Sequence, residues 1–582
     1  MADLQVSGSV HFVGIGGVGM SGLANILLDL GESVTGSDAA VTFATRRLRA
    51  RGAGVRQGHD PDNVPENAAV VVYSSAVPED NPELVAARRR GIRTSRRGHF
   101  LAELATRFPC VIAVAGSHGK TTTTAMIAHI LRACGRRPGF LVGGEVAGWP
   151  VSASAGDGRI LVTEVDESDG TQDALASSLA VITNIEDDHC WSVGGEAALR
   201  TCFADFAGRA QAVLAWDAAQ PRELLGGLPE VTFLDDAAIP AALALPVPGE
   251  YNRRNATLAV AAAGRMGVST EDALEALRSF PGVKRRLTCH YRSHDESTVL
   301  VEDYAHHPTE LRCLLAALRA RYPKHRLVTI FQPHRFERVK RYSAEFAAIL
   351  STADEVVVTA PFAAWLDDAE QIRPEAIAEG ISGPSAQYWR GEYPPLVDRL
   401  LDSAFGGDRS NPGPVVFAVI GAGSIARLIP SLHAALVRRE LCEVRNALAE
   451  RSPGLAFCDE TPWWELTTLG IGGVRPLVAR PRSMEQLGSV LGVARDFGVQ
   501  PLVLGRGSNL IGTDFPARVV VIRLEGEALG GLRVEGGRVT AGAGLGLKRF
   551  CHSLLHEAAL PPDWAPLGWI PGSLGGAARM NA

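Results

Sequence analysis

At 582 residues, with 46% hydrophobic and 21% charged residues, the chain exceeds one hydrophobic core and has the composition of a globular protein of about three to five domains. A formal net charge of -6 gives no general attraction to nucleic acid, which is excluded as an expected partner. The start MADLQVSGSV lacks a signal peptide's basic and apolar parts, and no apolar run approaches the roughly 18 residues that cross a bilayer, so a cytoplasmic protein without an integral membrane segment is expected.

Apolar β-branched runs alternate with helical patterns, which predicts an α/β protein built on parallel sheets. SVHFV reads as a strand, GIGGVGM as a glycine turn, SGLANILLDL as a helix and SVTGSD as a second strand, a βαβ opening. AVVVYSSA, CVIAVAG, RILVTEVD, LAVITNIE, RLVTIFQ and EVVVTAPF are further strands, each ending in a polar or glycine turn. The expected units are 1–100, 101–283 and 284–440, then a linker over 441–460 and a last unit over 461–582. Nine cysteines occur without CxxC pairs, so neither zinc nor disulfides are expected.

Gly14, Gly16, Gly17 and Gly19, with Asp38 at the end of the next strand, fit a dinucleotide fingerprint: glycines admit a diphosphate to a helix N-terminus and the acid takes a ribose hydroxyl. That geometry suits NAD or a UDP sugar equally, and the residues alone leave an NAD-dependent oxidoreductase open. A second glycine turn, Gly116-Ser117-His118-Gly119-Lys120-Thr121, follows the strand CVIAVA and opens a helix. Val114 stands where the general phosphate loop has its first glycine, so this loop is shorter. It still presents N–H groups at the positive end of a helix, a mobile charge on Lys120 and a hydroxyl on Thr121 for the Mg2+ that accompanies ATP. Two acidic strand ends, Glu164 to Asp169 and Glu186 to His189, belong to the edge of a parallel sheet where ligands bind.

AGSHGKTTT, EVDESDG, NIEDDH, GVKRR, EDYAHHPTE and FQPHRFER, in this order after GIGGVGMSGLA, resemble the Mur ligases over about residues 8 to 440, most closely those that join L-alanine to UDP-N-acetylmuramate. The shortened loop is that family's form. The resemblance implies three domains: a Rossmann-like UDP domain, a P-loop ATPase domain and a Rossmann-like C-terminal domain. It implies that Gly14, Gly16, Gly17, Gly19, Met20, Asp38, Ser74 and Ser75 bind the UDP substrate. ATP would be held by Gly116, Ser117, His118, Gly119, Lys120, Thr121, Thr122, Asn252, Asn255 and Asp303, and Mg2+ by Thr121, Glu164 and His189. Lys120, Glu164, His189, His334 and Arg335 would carry the chemistry: phosphorylation of a carboxylate, then attack by the amine of L-alanine. Tyr251 stands where the family often has histidine, Ser424 where it has aspartate, and APFAAWL replaces a more polar segment. A relative using another amino acid or a recycled peptide is the alternative.

TTLGIGGVRPLVARPRSMEQL, PLVLGRGSNLI, VTAGAGLGLKRFC and LGWIPGSLGGAARMNA resemble the flavin-binding part of UDP-N-acetylenolpyruvoylglucosamine reductases, a partial α+β unit. This implies possible FAD binding by Gly505, Gly507, Ser508, Asn509, Gly572, Ser573, Gly575 and Gly576. The segments that carry that family's proton donors are absent up to Ala582, so a truncated reductase region is expected, with an active ligase-reductase as the alternative. Association with other cell-wall precursor enzymes is a further expectation.

Overall fold

The computed structural model describes residues 8–166, 169–186, 194–363, 372–406, 413–458, 460–556 and 562–580, and the side chains of 562–565 are outside that description. The predicted alternation of strand and helix produces four sheets larger than a hairpin.

The first sheet has five strands in the order Gly54–Gln57, Val34–Asp38, Ser9–Val13, Ala68–Tyr73, Arg93–Arg96, all parallel. Its central strand SVHFV is buried at every position, as a parallel strand covered on both faces must be. The second sheet has seven strands and places Cys110–Ala115 between Leu179–Ile182 and Ile160–Glu164, so the glycine loop and both acidic strand ends share one edge. The helix Arg97–Ala105 straddles the expected boundary near residue 100. Its Phe100 packs edge-on against Phe12 with ring centroids 6.0 Å apart, and one core cluster runs from Phe12 through Phe100 to Ile182 and Phe206.

The third sheet has six strands, with Thr298–Asp303, Val415–Ile420, Arg326–Phe331, Glu355–Thr359 and Ser385–Trp389 parallel and Thr288–Arg292 antiparallel at one edge. Beyond it, the stretch expected as a linker is helical as far as Arg451: one helix of 24 residues spans Leu428–Arg451. Its apolar side is buried over its whole length, which keeps it helical. Leu436, Val444 and Leu448 join the third-sheet residues Val415 and Phe417 to Val490, Val493 and Ile522 of the C-terminal region in a single cluster. Arg518 clamps this seam, donating from Nε to Oε2 of the buried Glu440 at 2.6 Å and lying 5.6 Å from the Tyr291 ring centroid.

The C-terminal region contains a four-stranded sheet and a hairpin, Leu532–Glu535 with Arg538–Ala541, turned by Gly536 and Gly537 at φ +54° and +76°. Two successive left-handed residues suit a tight two-residue turn, and glycine adopts them without strain. The eight described cysteines are all free thiols, and no described helix is long and apolar enough to cross a membrane.

Candidate active site

The loop between the buried strand Cys110–Ala115 and the helix Lys120–Ala133 needs glycine at two points for steric reasons. Gly116 has φ +139° and a Cβ there would lie 2.0 Å from Thr183 Oγ1. Gly119 has φ +83° and a Cβ there would lie 2.6 Å from Asn255 Oδ1. Asn255 is buried on the helix Glu250–Arg265, which packs behind the loop helix, and its neighbour Asn252 donates to Pro248 O at 2.7 Å. Lys120 folds over the loop, with Nζ donating to Gly116 O at 2.6 Å and Ser117 O at 3.4 Å. Ser117 and Thr122 are buried, while Thr121 is half-buried.

The neighbouring strand end fixes the loop's backbone. The N–H of His118 donates to Asn184 Oδ1 at 2.9 Å, and its carbonyl accepts from Thr183 Oγ1 at 2.5 Å and Asn184 Nδ2 at 3.0 Å. Ser117 Oγ accepts from Glu186 N at 2.8 Å and lies 3.0 Å from Glu186 O.

Of the two acidic strand ends, the first divides. Glu164 turns toward Gly143, accepting its N–H at 3.0 Å, and a Cβ at Gly143 would lie 2.5 Å from Oε2. Thr121 borders the same turn, with Cγ2 3.2 Å from a Cβ built on Gly144. The Thr121 hydroxyl and the Glu164 carboxylate are hard oxygen donors of the kind that Mg2+ takes. Asp166 and the buried Asp169 instead pair with Arg97, Asp166 at 3.6 Å, and Asp169 also accepts Thr171 N at 2.9 Å. Burial raises the Asp169 carboxyl despite Arg97. Arg97 Nη1 lies 2.0 Å from where a Cβ on Gly19 would stand, so the last glycine of the first turn admits an arginine. At the second strand end Glu186 faces the loop, whereas His189 lies outside the described residues.

The third domain meets the loop through residues that the motifs contain but do not by themselves assign. His118 Nε2 is 3.5 Å from Glu186 and Nδ1 is 3.6 Å from Glu310, and the His307 ring lies against it at a centroid distance of 4.8 Å. Glu186, His118 and His307 bring donor atoms within 4.8 Å of one another. Thr309 Oγ1 donates to Glu186 at 2.6 Å, and Arg286 Nη1 to Glu310 at 3.0 Å. Burial pushes the Glu310 carboxyl up, but His306, Arg286 and His118 outweigh it and hold it well below the ordinary range.

Asp303, expected at the nucleotide, is buried beneath the turn at Arg285 to Leu287. It accepts Leu287 N at 2.7 Å and Ala305 N at 2.7 Å. The first of these bonds holds Leu287 at φ +47°, and the N–H of the next residue, Tyr304, donates to the carbonyl of Arg285, itself at φ +62°, a conformation that side-chain-bearing residues adopt only when their surroundings enforce it. Burial, opposed by Arg286 and the two N–H groups, raises the Asp303 carboxyl to about 6. A carboxyl raised above its unfolded value adds stability at low pH that is lost as pH rises through 6. Asn at 303 removes this titration and turns an NH2 toward one N–H. Asp303→Asn should therefore lower the thermal midpoint at pH 7, and the wild type's advantage should widen at pH 5; an advantage that narrows would refute the assignment.

His334 stacks on Phe362 at 5.7 Å and 11°, and Arg335 N donates to Phe362 O at 2.9 Å with Arg335 at φ +68°. His306 lies 5.5 Å from the His334 ring, so the EDYAHHPTE and FQPHRFER segments meet. Ser424 lines a cavity of about 260 Å3 with Trp389 and Tyr393, and its hydroxyl accepts from Gln332 Nε2 at 3.2 Å. Tyr251 is enclosed beside Asp303 and Arg286, and burial pushes its phenol far above the ordinary range.

In the first turn, Gly16 N donates to Asp38 Oδ2 at 2.8 Å, Gly14 and Gly17 form its tight bend, and Met20 is buried below it. Ser74 and Ser75 lie just past the strand Ala68–Tyr73, with Ser75 exposed. The C-terminal glycine loops also come together: Ser508 Oγ donates to Pro571 O at 2.7 Å, and a Cβ on Gly505 would lie 2.5 Å from Ser573 Oγ. Gly507 at φ +67° crosses Leu466 O, Gly575 crosses Ala543, Gly576 N donates to Ser573 Oγ at 3.2 Å, Gly572 is open, and Asn509 reaches Met580 Sδ at 3.7 Å. Small residues lining two adjoining loops fit the diphosphate of FAD.

Family models match four segments: "Mur ligase family, catalytic domain" at residues 9–109, "Mur ligase middle domain" at 114–194, "Mur ligase, glutamate ligase domain" at 285–417 and "FAD binding domain" at 476–582. The UDP-N-acetylmuramate--L-alanine ligase of Bifidobacterium longum subsp. infantis is 38% identical over 502 residues, 76% of this chain and 96% of the relative. That of Thiobacillus denitrificans is 38% identical over 459 residues, 73% of this chain and 97% of the relative. The crystal structure of the UDP-N-acetylmuramate-alanine ligase MurC of Thermotoga maritima matches with TM-score 0.61 at 29% identity, covering 75% of this chain and 100% of that one. A chain that covers such relatives almost end to end, with the phosphate loop and third-domain motifs joined in one site, belongs to the Mur ligase family.

Proposed function

We propose that the chain uses ATP to join L-alanine to the lactyl carboxylate of UDP-N-acetylmuramate through an acyl phosphate, in the cytoplasm. The contact of the glycine loop with the EDYAHHPTE segment carries this reading, because it brings a loop suited to a triphosphate together with the third-domain residues His307 and Glu310. A carboxylate is a poor acyl donor, and phosphorylation gives it a leaving group. Lys120 now spends its ammonium on loop carbonyls; a bound triphosphate offers it phosphate oxygens instead. When bound, Mg2+ neutralises phosphate charge, and the Thr121 hydroxyl and Glu164 carboxylate are the oxygens that would hold it. His334 and Arg335 lie across from His306, where the amine and the tetrahedral oxyanion would need orientation and positive charge. In the first domain, the Gly14 to Gly19 turn with Asp38 would take the UDP moiety.

Phosphate release by the purified chain should require ATP, UDP-N-acetylmuramate and an amino acid together, with L-alanine preferred over glycine, L-serine and a tripeptide. Release that ignores the UDP sugar would sink the reading. For the C-terminal region we infer FAD binding between the loops at 505–509 and 572–576. The purified chain should then show a flavin spectrum, and NADPH oxidation with UDP-N-acetylglucosamine enolpyruvate would separate a working reductase from a binding module. A flavin module so placed would also give a neighbouring cell-wall precursor enzyme a surface to associate with, which co-purification would test.

A further inference from the structure

His118 is the one loop residue that every side of the site touches through a described contact. Its backbone is fixed by Thr183 and Asn184, while its imidazole, about 10% exposed, presents Nε2 to Glu186 at 3.5 Å and Nδ1 to Glu310 at 3.6 Å. The two carboxylates come from different domains. The ring is thus confined between two carboxylates, with the His307 ring lying against it at a centroid distance of 4.8 Å. The third domain reaches the same place a second time, through Thr309 Oγ1 on Glu186 at 2.6 Å. Glu186 in turn is tied to Ser117 by its own backbone. Glu310 is kept ionised by Arg286 at 3.0 Å and by the N–H of His306 at 3.0 Å, so it arrives at the loop as a fixed charge.

We propose that Glu310 is a positioning residue for phosphoryl transfer: reaching the loop from the third domain, it confines the His118 ring against Glu186 and so sets the phosphate loop. The proposal rests on the ATP reading above. Lys120 stands two residues beyond His118, and a shift of about 1 Å in a group that must meet a transferring phosphoryl costs on the order of a hundredfold in rate. Glu310 touches neither nucleotide nor acceptor in this role; it acts through the imidazole.

The test is a double-mutant cycle on the full chain with Glu310→Gln and His118→Gln, reading calorimetric affinity for MgADP and the ATP-dependent rate. Glu310→Gln alone should weaken MgADP about tenfold and lower kcat at least as much. Added to His118→Gln, it should change either by less than about twofold, because its route to the loop is already gone. Equal losses in both backgrounds, or no loss in the single variant, would overturn the proposal. If Glu310→Gln does not fold, Glu310→Asp, which keeps the charge and shortens the reach, goes through the same cycle with the same criteria. A wild type that fails to bind MgADP would instead refute the ATP reading, so the two failures are distinguishable.

Discussion

Replacing Lys120 by methionine should lower kcat/KM for ATP-dependent ligation by about 10^3-fold or more while leaving the thermal midpoint nearly unchanged. The ammonium lies at the start of the loop helix, half-buried, and among its contacts are two loop carbonyls, groups that the surrounding turn does not need for its own closure, so the fold should lose little when it goes. The transferring phosphoryl group loses a short-range cation in a site that half-excludes water, where one such group is worth about 10^2 to 10^3 and often more. Steady-state assay beside a melting curve checks both halves. Activity within tenfold of wild type would remove Lys120 from the chemistry, and an early melt would mean that the residue is structural.

The second large effect is at the seam with the C-terminal region. Arg518→Ala leaves the Glu440 carboxylate, about 6% exposed, without its guanidinium partner. Stranding a buried charge costs about 3 kcal/mol, and the C-terminal region should undock, with new proteolytic cleavage after Arg451 and an earlier first melting transition. Ligation should survive, because no described contact joins the pair to the loop or to the turn at Arg285 to Leu287. Arg518→Met with Glu440→Leu removes both charges and should recover most of the docking. If the single variant melts and resists protease like wild type, the apolar seam of Leu436, Val444, Val490 and Val493 holds the region by itself.

The local chemistry of the site was legible because it depends on residues near one another in the chain. Gly116, Gly119, Lys120 and Thr121 form the loop within six positions, and the strand before it is apolar at every residue. The same holds for the Gly14 to Gly19 turn, though its last glycine proved to admit Arg97, a residue that nothing in the turn announces. The acidic run from Glu164 to Asp169 read as one cluster; sheet register and the helix at Arg97 divide it, turning Glu164 to Gly143 and Asp166 and Asp169 to Arg97. The 441–460 stretch was expected to link two units, with a helical pattern running into it; which side of that helix packs, and that it is buried jointly by the third sheet and the C-terminal region, depends on residues far away in the chain.

By itself, then, the amino-acid sequence determined the α/β class, the phosphate loop and the family, since strand burial, turn sterics and ordered motifs are encoded over a few residues at a time. The tertiary structure alone decided which carboxylates face the loop, that Glu310 and Thr309 of one domain meet His118 and Glu186 of another, and that Asp303 braces the turn at Leu287. These contacts join residues more than a hundred positions apart, or hang on a backbone turned to positive φ, and their energies exist only once packing has excluded water and brought the charges within reach.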